Sequence, residues 1–140
     1  MAYPFESASV NLTDPLGVDL DCYPGLSPTG ALVSGIVALA QRIARRLTTP
    51  RGAWFWAPNE CTDVRGYLNE GVGPDAQAQI KAAIEREALR EEAVATASAD
   101  VAFNAQAMTL TIHLTGTSKA GPFQFVMSVT SVTLAILKAG

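Results

Sequence analysis

The chain is short of the residues that most often carry chemistry. It has a single histidine, His113, and two cysteines, Cys22 and Cys61. That set cannot assemble a zinc site of the usual four-ligand kind. A nucleophile–histidine–carboxylate machine would have to run through His113, which stands between Thr111 and Thr115 on the polar side of an alternating run. So little accompanies it that a surface or partly packed histidine is the better reading. The signatures GxxxxGKS/T, HExxH and GxSxG are absent. Positive charge is scarce as well: ten Lys and Arg stand against thirteen Asp and Glu, a net charge of −3. A domain that lives on phosphate contacts is normally basic, so no nucleic-acid partner is expected. The most apolar window, residues 30–40, is followed closely by Gln41, Arg42, Arg45 and Arg46 and is too short to cross a bilayer. The opening MAYPFESASV lacks the basic and apolar regions of a signal peptide. No metal, cofactor or membrane partner is expected. Cysteines of an intracellular chain are usually thiols, and nothing in the sequence argues for a Cys22–Cys61 disulfide.

What is present is a core. Of 140 residues, 49% are hydrophobic, enough for one domain with a real interior. Residues 1–30 are broken by Pro4, Pro15, Pro24 and Pro28 and read as an extended N-terminal arm. Residues 31–140 read as a single α+β domain. Its first helix is expected over 31–48, where Leu32, Val33, Ile36, Val37, Ala40, Ile43, Ala44 and Leu47 form one stripe. Thr49 before Pro50 ends it. Asp63 is expected to cap a helical turn to Leu68, and Asp75 a second main helix to about Glu92. Its apolar face is thin, and Glu85, Glu87, Glu91 and Glu92 interleave with Lys81, Arg86 and Arg90 as a solvated surface. From Val94 the period becomes two. Residues 94–104 alternate weakly, Met108 to Thr115 cleanly, and a last strand spans about 123–137. Its apolar parity flips after Ser131, which predicts a bulge near Thr130 or a switch of surface. The fold class expected is α+β, with two main helices on a small, mostly antiparallel sheet and extended N- and C-terminal arms.

Two stretches invite a chemical reading. Two carboxylates of the second helix could in principle serve a glycosidase, but interleaved arginines favour ion pairs over the raised pKa a catalytic acid needs. The other stretch is RRLTTPRGAWFWAP, residues 45–58. Extended, it would put Trp54 and Trp56 on one face and Phe55 on the other. One side would then plug the core and the other meet a partner, since aromatics and arginine are enriched at protein interfaces.

The runs VSGIVALAQRIARRLTTPRGAW, DVRGYLNE, EREALREEAV, LTIHL and GPFQFVMSVTSVTLAIL, taken in order, resemble the baseplate wedge family of contractile phage tails and related injection machines. The resemblance covers about Gly17 to Leu137, and the helix–RRLTTPRG junction is its most specific part. It implies a non-enzymatic structural protein, present in six copies in the virion tail baseplate and assembled in the host cytoplasm. Its partners would be the tail sheath protein, other wedge proteins and the tail tube. Some members carry a lysozyme label, which nothing in this sequence supports. The family has an arginine near the end of the second helix where this chain has Ala93, and a tyrosine–glycine pair where it has Glu60-Cys61. An inter-subunit salt bridge from that arginine is therefore not carried over.

The expected partner interface comprises Arg45, Arg46, Arg51, Trp54, Trp56, Glu91, Glu92, Val132, Leu134 and Ile136. The last three belong to a β-prone apolar segment that would pair with a neighbouring chain by strand addition. On that expectation, a chain lacking residues 132–140 is a folded or nearly folded domain that no longer supports sheath assembly. The alternative function is a small tail lysozyme using helix carboxylates.

Overall fold

A computed structural model describes residues 15–20, 32–70, 72–131 and 133–139. The fold is α+β. Two short strands, β1 (Val18–Leu20) and β2 (Leu32–Ser34), pair antiparallel as a ribbon. Helices α1 (Gly35–Leu47), α2 (Arg65–Glu70) and α3 (Pro74–Leu89) follow. Strands β3 (Val94–Asn104), β4 (Thr109–Ser118), β5 (Gly121–Val129) and β6 (Leu134–Ala139) then form an antiparallel sheet in chain order. Residues 1–14 and 21–30 of the expected arm, Ala31 of the expected first helix, and Val132 lie outside the described residues.

The first helix is shorter than its apolar stripe predicts. Leu32–Ser34 pairs with Val18–Leu20 instead of coiling. Gly35 takes φ +65, which ends the strand, and its N–H donates to the Gly17 carbonyl at 3.3 Å. A left-handed angle there is cheap only for glycine. Ser34 is the extended N-cap residue. In α3 the cap is Gly73 with Pro74 at the first helical position, and Asp75 sits inside the first turn, where a carboxylate suits the helix dipole. Asp63 does cap α2: its Oδ1 accepts the Arg65 N–H at 3.1 Å.

The sheet buries one face. Ala99, Leu110, Ile112, Leu114, Phe123, Phe125, Met127 and Val129 point inward, and their neighbours on the same strands, such as Asp100, His113, Thr115 and Gln124, point out. Helix α3 lies along β3, and α1 reaches β6 and α3. Ala40, Ile43, Ala44 and Leu47 of α1 and Ile80, Ile84 and Ala88 of α3 complete one core. Leu16 belongs to it too, so the part of the N-terminal segment next to β1 is held by the domain.

The segment expected as one strand over 123–137 is two strands. The chain reverses between Thr130 and Thr133, whose N–H and carbonyl bond at 2.8 Å while their hydroxyls meet at 3.0 Å. The hairpin explains the change of apolar parity at this point: β6 returns to the same inner face with its own phase. It pairs with β5 of its own chain, Val129 opposite Leu134 and Met127 opposite Ile136. Leu134 and Ile136, expected at a partner interface, are only 7% and 9% exposed and belong to the core.

Candidate functional site

The densest chemistry lies where the C-terminal turns of α1, the loop 48–64 and the end of α3 meet. Arg42 and Arg46 are one helical turn apart, and both reach Glu91 in the turn after α3. Arg46 Nε lies 2.8 Å from Glu91 Oε1 and its Nη1 lies 3.2 Å from Glu60 Oε1. Arg42 Nε lies 3.4 Å from Glu91 Oε2, and its Nη2 donates to the Leu16 carbonyl at 2.6 Å. Each oxygen of Glu91 thus holds one guanidinium. Burial opposes the charge of Arg46, but hydrogen bonds and attraction from Glu91 and then Glu60 outweigh it and hold its pKa above the ordinary arginine value.

One helical turn before Glu91, Glu87 is wholly buried. Its Oε2 accepts the Cys61 N–H at 3.3 Å. Its Oε1 has no hydrogen-bond partner and lies 3.7 Å from Arg90 Nη1, which itself donates to the Asn59 carbonyl at 2.5 Å. Arg86 Nη2 contacts the Thr62 hydroxyl at 3.3 Å. Backbone bonds from Thr62 to Arg46 and from Val64 to Leu47 tie the same segment to α1. Residues 59–64 are therefore laced between two helices by charged groups. Cys61 accepts φ +77 to aim its N–H at Glu87, a conformation that disfavours a side chain and needs such a contact to persist.

The free Cys61 thiol is buried in this strap. Burial first, then the Glu87 charge, push its pKa above the ordinary 9.0, with Arg46 pulling the other way. The folded protein therefore keeps a proton that the unfolded chain releases, so the contribution is full below about pH 9 and is lost as pH rises through the folded value. Urea melts from pH 7 to 10.5 should show a steeper alkaline loss of stability in the native protein than in Cys61→Ala. Parallel pH profiles would refute the assignment.

Above the strap sits the aromatic loop. Residues 54–56 are a run of turns, not the strand considered from sequence. Trp54 is half-buried with Arg46 beneath it, the guanidinium carbon 5.4 Å from the ring centre. Trp54 and Trp56 stack at 5.6 Å, and Phe55 meets Trp56 edge-on at 5.1 Å. None of the three plugs the core: Phe55 and Trp56 are exposed.

Of the expected interface residues, the structure brings Arg46, Trp54 and Glu91 into one cluster, with Trp56 stacked on Trp54. Arg46 and Glu91 face each other within the chain, their side chains only 12% and 13% exposed. Arg45 is half-buried nearby, and its carbonyl accepts the Thr49 hydroxyl at 2.6 Å. Arg51 is exposed in the turn below the aromatics. Glu92 points to solvent opposite Lys119 at 3.6 Å. Leu134 and Ile136 are elsewhere, in the core. Ala93 is itself buried, its carbonyl accepting the Lys119 N–H at 2.9 Å; the cations on Glu91 come from this chain's own Arg42 and Arg46.

Sequence reasoning missed Arg42, Glu60, Cys61, Glu87 and Arg90, and placed Glu87 and Glu91 on a solvated surface. A signal was there. Arg42 and Arg46 are like charges four residues apart, an arrangement that destabilises an isolated helix and is relieved here by Glu91, which meets both.

For a glycosidase two carboxyls must flank a cleft. Glu87 is buried and Glu91 has both oxygens in ion pairs, so neither offers itself to one. A shallow hollow lined by Thr62, Asp63, Gly66 and Tyr67 lies nearby, but Asp63 is held by Arg65 at 2.9 Å. Among the described residues no group of His, Cys, Asp and Glu could hold a metal ion, and no helix is long and apolar enough to cross a membrane.

Fold and site together define a small α+β protein whose charged groups position a projecting aromatic loop. No protein-family model matches the chain, and no curated protein matches it.

Proposed function

We propose that the protein is a non-enzymatic structural component of the baseplate of a contractile phage tail or a related injection machine, joining wedge proteins to the first sheath ring by strand addition. The resemblance of the RRLTTPRG junction and the closing strands supports this reading, and one structural observation carries it. The sheet ends on β6, an edge strand of sequence LAILKA. The opposite edge, β3, shows the exposed charge of Asp100 and is flanked by α3, the kind of guard that discourages pairing. On β6, Leu137 is 59% exposed on the outer side. Among the described residues no strand pairs with the outer side of β6; Lys138 and the register shift at Leu137 discourage chance pairing there, and the exposed Leu137 suits a specific extended segment of a neighbour, with backbone bonds giving affinity and alternate side chains giving specificity.

In this role the partners are the tail sheath protein, other wedge proteins and the tail tube, in a six-copy assembly in the virion baseplate built in the host cytoplasm. Hydrogen exchange tests it. In assembled baseplates the amides of Leu134–Ala139 should exchange roughly tenfold or more slowly than in the isolated protein, because the outward ones gain partners. Leu137→Asp, a surface change that leaves folding within about 0.5 kcal/mol, should block sheath initiation. Unchanged exchange together with normal sheath growth on Leu137→Asp particles would sink strand addition at this edge.

A further inference from the structure

The proposed function uses one edge of the sheet. The other edge, β3, is the longer strand, and its sequence VATASADVAFN holds no proline, no glycine and a single charge. Long, nearly uncharged edges pair readily with another chain. In an antiparallel ladder every second residue of an edge strand turns its N–H and carbonyl away from its partner. Ala99 is such a residue in β3: its N–H donates to Oε1 of Glu85, on α3, at 3.1 Å. Lys81, one helical turn earlier, stands 3.9 Å from the same oxygen. A carboxylate thus occupies a ladder position that a neighbouring strand would use.

The position it occupies is the centre. Ala99 is the middle residue of β3 (Val94–Asn104). Two copies of β3 paired antiparallel in full register would have their two-fold axis at Ala99, each Ala99 N–H donating to the Ala99 carbonyl of the other. Ser98 of one copy then falls opposite Asp100 of the other, and Ala97 opposite Val101. The one carboxylate of the strand meets a hydroxyl and not its own copy, so the like-charge contact that would oppose self-pairing is missing. The edge is self-complementary, and the bond that must form at its centre is the one Glu85 takes.

We infer that Glu85 determines which edge of the sheet takes a neighbour: it keeps β3 from pairing with β3 of a second copy and leaves β6 as the edge open to a partner. A second β3 would have to displace a carboxylate from the Ala99 N–H, a charge-assisted bond stronger than the neutral one replacing it. The displaced carboxylate would then lie beside the carbonyls of the incoming strand. What is said of β3 stands independently of strand addition; what is said of β6 rests on that reading.

Glu85→Ala tests it, because alanine suits the helix and removes the acceptor. In sedimentation Glu85→Ala should dimerise at a concentration where the native protein and Glu85→Gln, whose amide oxygen still accepts the Ala99 N–H, are monomers. The register supplies a second test at Ser98, which is exposed in the monomer. In the Glu85→Ala background, Ser98→Asp puts two like-charge contacts into each dimer and should weaken it about fivefold or more, whereas Ser98→Lys should tighten it severalfold. Hydrogen exchange reads the bond without any variant. In the native protein the Ala99 amide should exchange about tenfold or more slowly than that of Val101, which faces the same side of β3. Four results would each overturn the inference: a monomeric Glu85→Ala, a dimer indifferent to both changes at Ser98, a Glu85→Gln dimer as tight as that of Glu85→Ala, or Ala99 exchanging as fast as Val101. None of these measurements involves Leu137 or sheath growth, so a failure of strand addition at β6 shows separately.

Discussion

Removing residues 132–140 abolishes cooperative folding. The expectation from sequence is the opposite, a folded domain that has merely lost its assembly strand. The difference follows from where β6 points. Leu134 and Ile136 lie in the core beside Met127 and Val129, and β6 packs against α1. Truncating one buried Leu or Ile to alanine typically removes about 2–5 kcal/mol. Losing both, with the β5 pairing and the cover over α1, removes at least twice that. A domain of this size has roughly 5–15 kcal/mol in all. Circular dichroism and urea melts of the shortened chain should show no cooperative transition. A native-like melt would mean that β6 is an appendage and would restore the expectation from sequence. The same result dictates how strand addition must be tested: by changing the outward residue Leu137, not by deletion.

Replacing Arg46 by alanine lowers the unfolding free energy by about 3 kcal/mol, at the low end of the 3–5 kcal/mol seen when one partner of a buried pair is removed. The low end applies because Glu91 keeps Arg42 on its other oxygen. Glu60 loses its only ion-pair contact among the described residues, and Trp54 loses the cation under its ring. Glu91→Ala leaves Arg46 with Glu60 and Arg42 with the Leu16 carbonyl in place of the shared carboxylate, and should cost at least as much. In a double-mutant cycle the Arg46→Ala/Glu91→Ala protein should be more stable than the sum of the single effects predicts, by 1 kcal/mol or more. Additive losses would show that the two side chains contribute through packing alone. Tryptophan fluorescence of Arg46→Ala should also broaden as the aromatic loop loses its footing.

Much of the architecture is legible in the order of residues. The period of 3.6 in Ile36 to Leu47 and the period of two in Leu110, Ile112 and Leu114 are local signals, because each element shows its buried stripe in its own spacing. The change of parity near Ser131 was a true signal as well, but spacing alone does not distinguish a bulge from a reversal of the chain. Only pairing across β5 and β6 separates them.

The amino-acid order by itself determined the class of the fold, the turn at Pro50–Gly52, and the scarcity of groups able to do chemistry. Tertiary structure alone decided which charges face each other. Arg46 and Glu91 are far apart along the chain, and whether such a pair is solvated or joined depends on how α1 crosses the end of α3. It also decided that Glu87 is buried, that Leu134 and Ile136 serve their own core, and that Phe55 and Trp56 remain in solvent. Burial is a property of several elements packed together. A short run of residues records which side chains prefer the interior, but not which of them find room there.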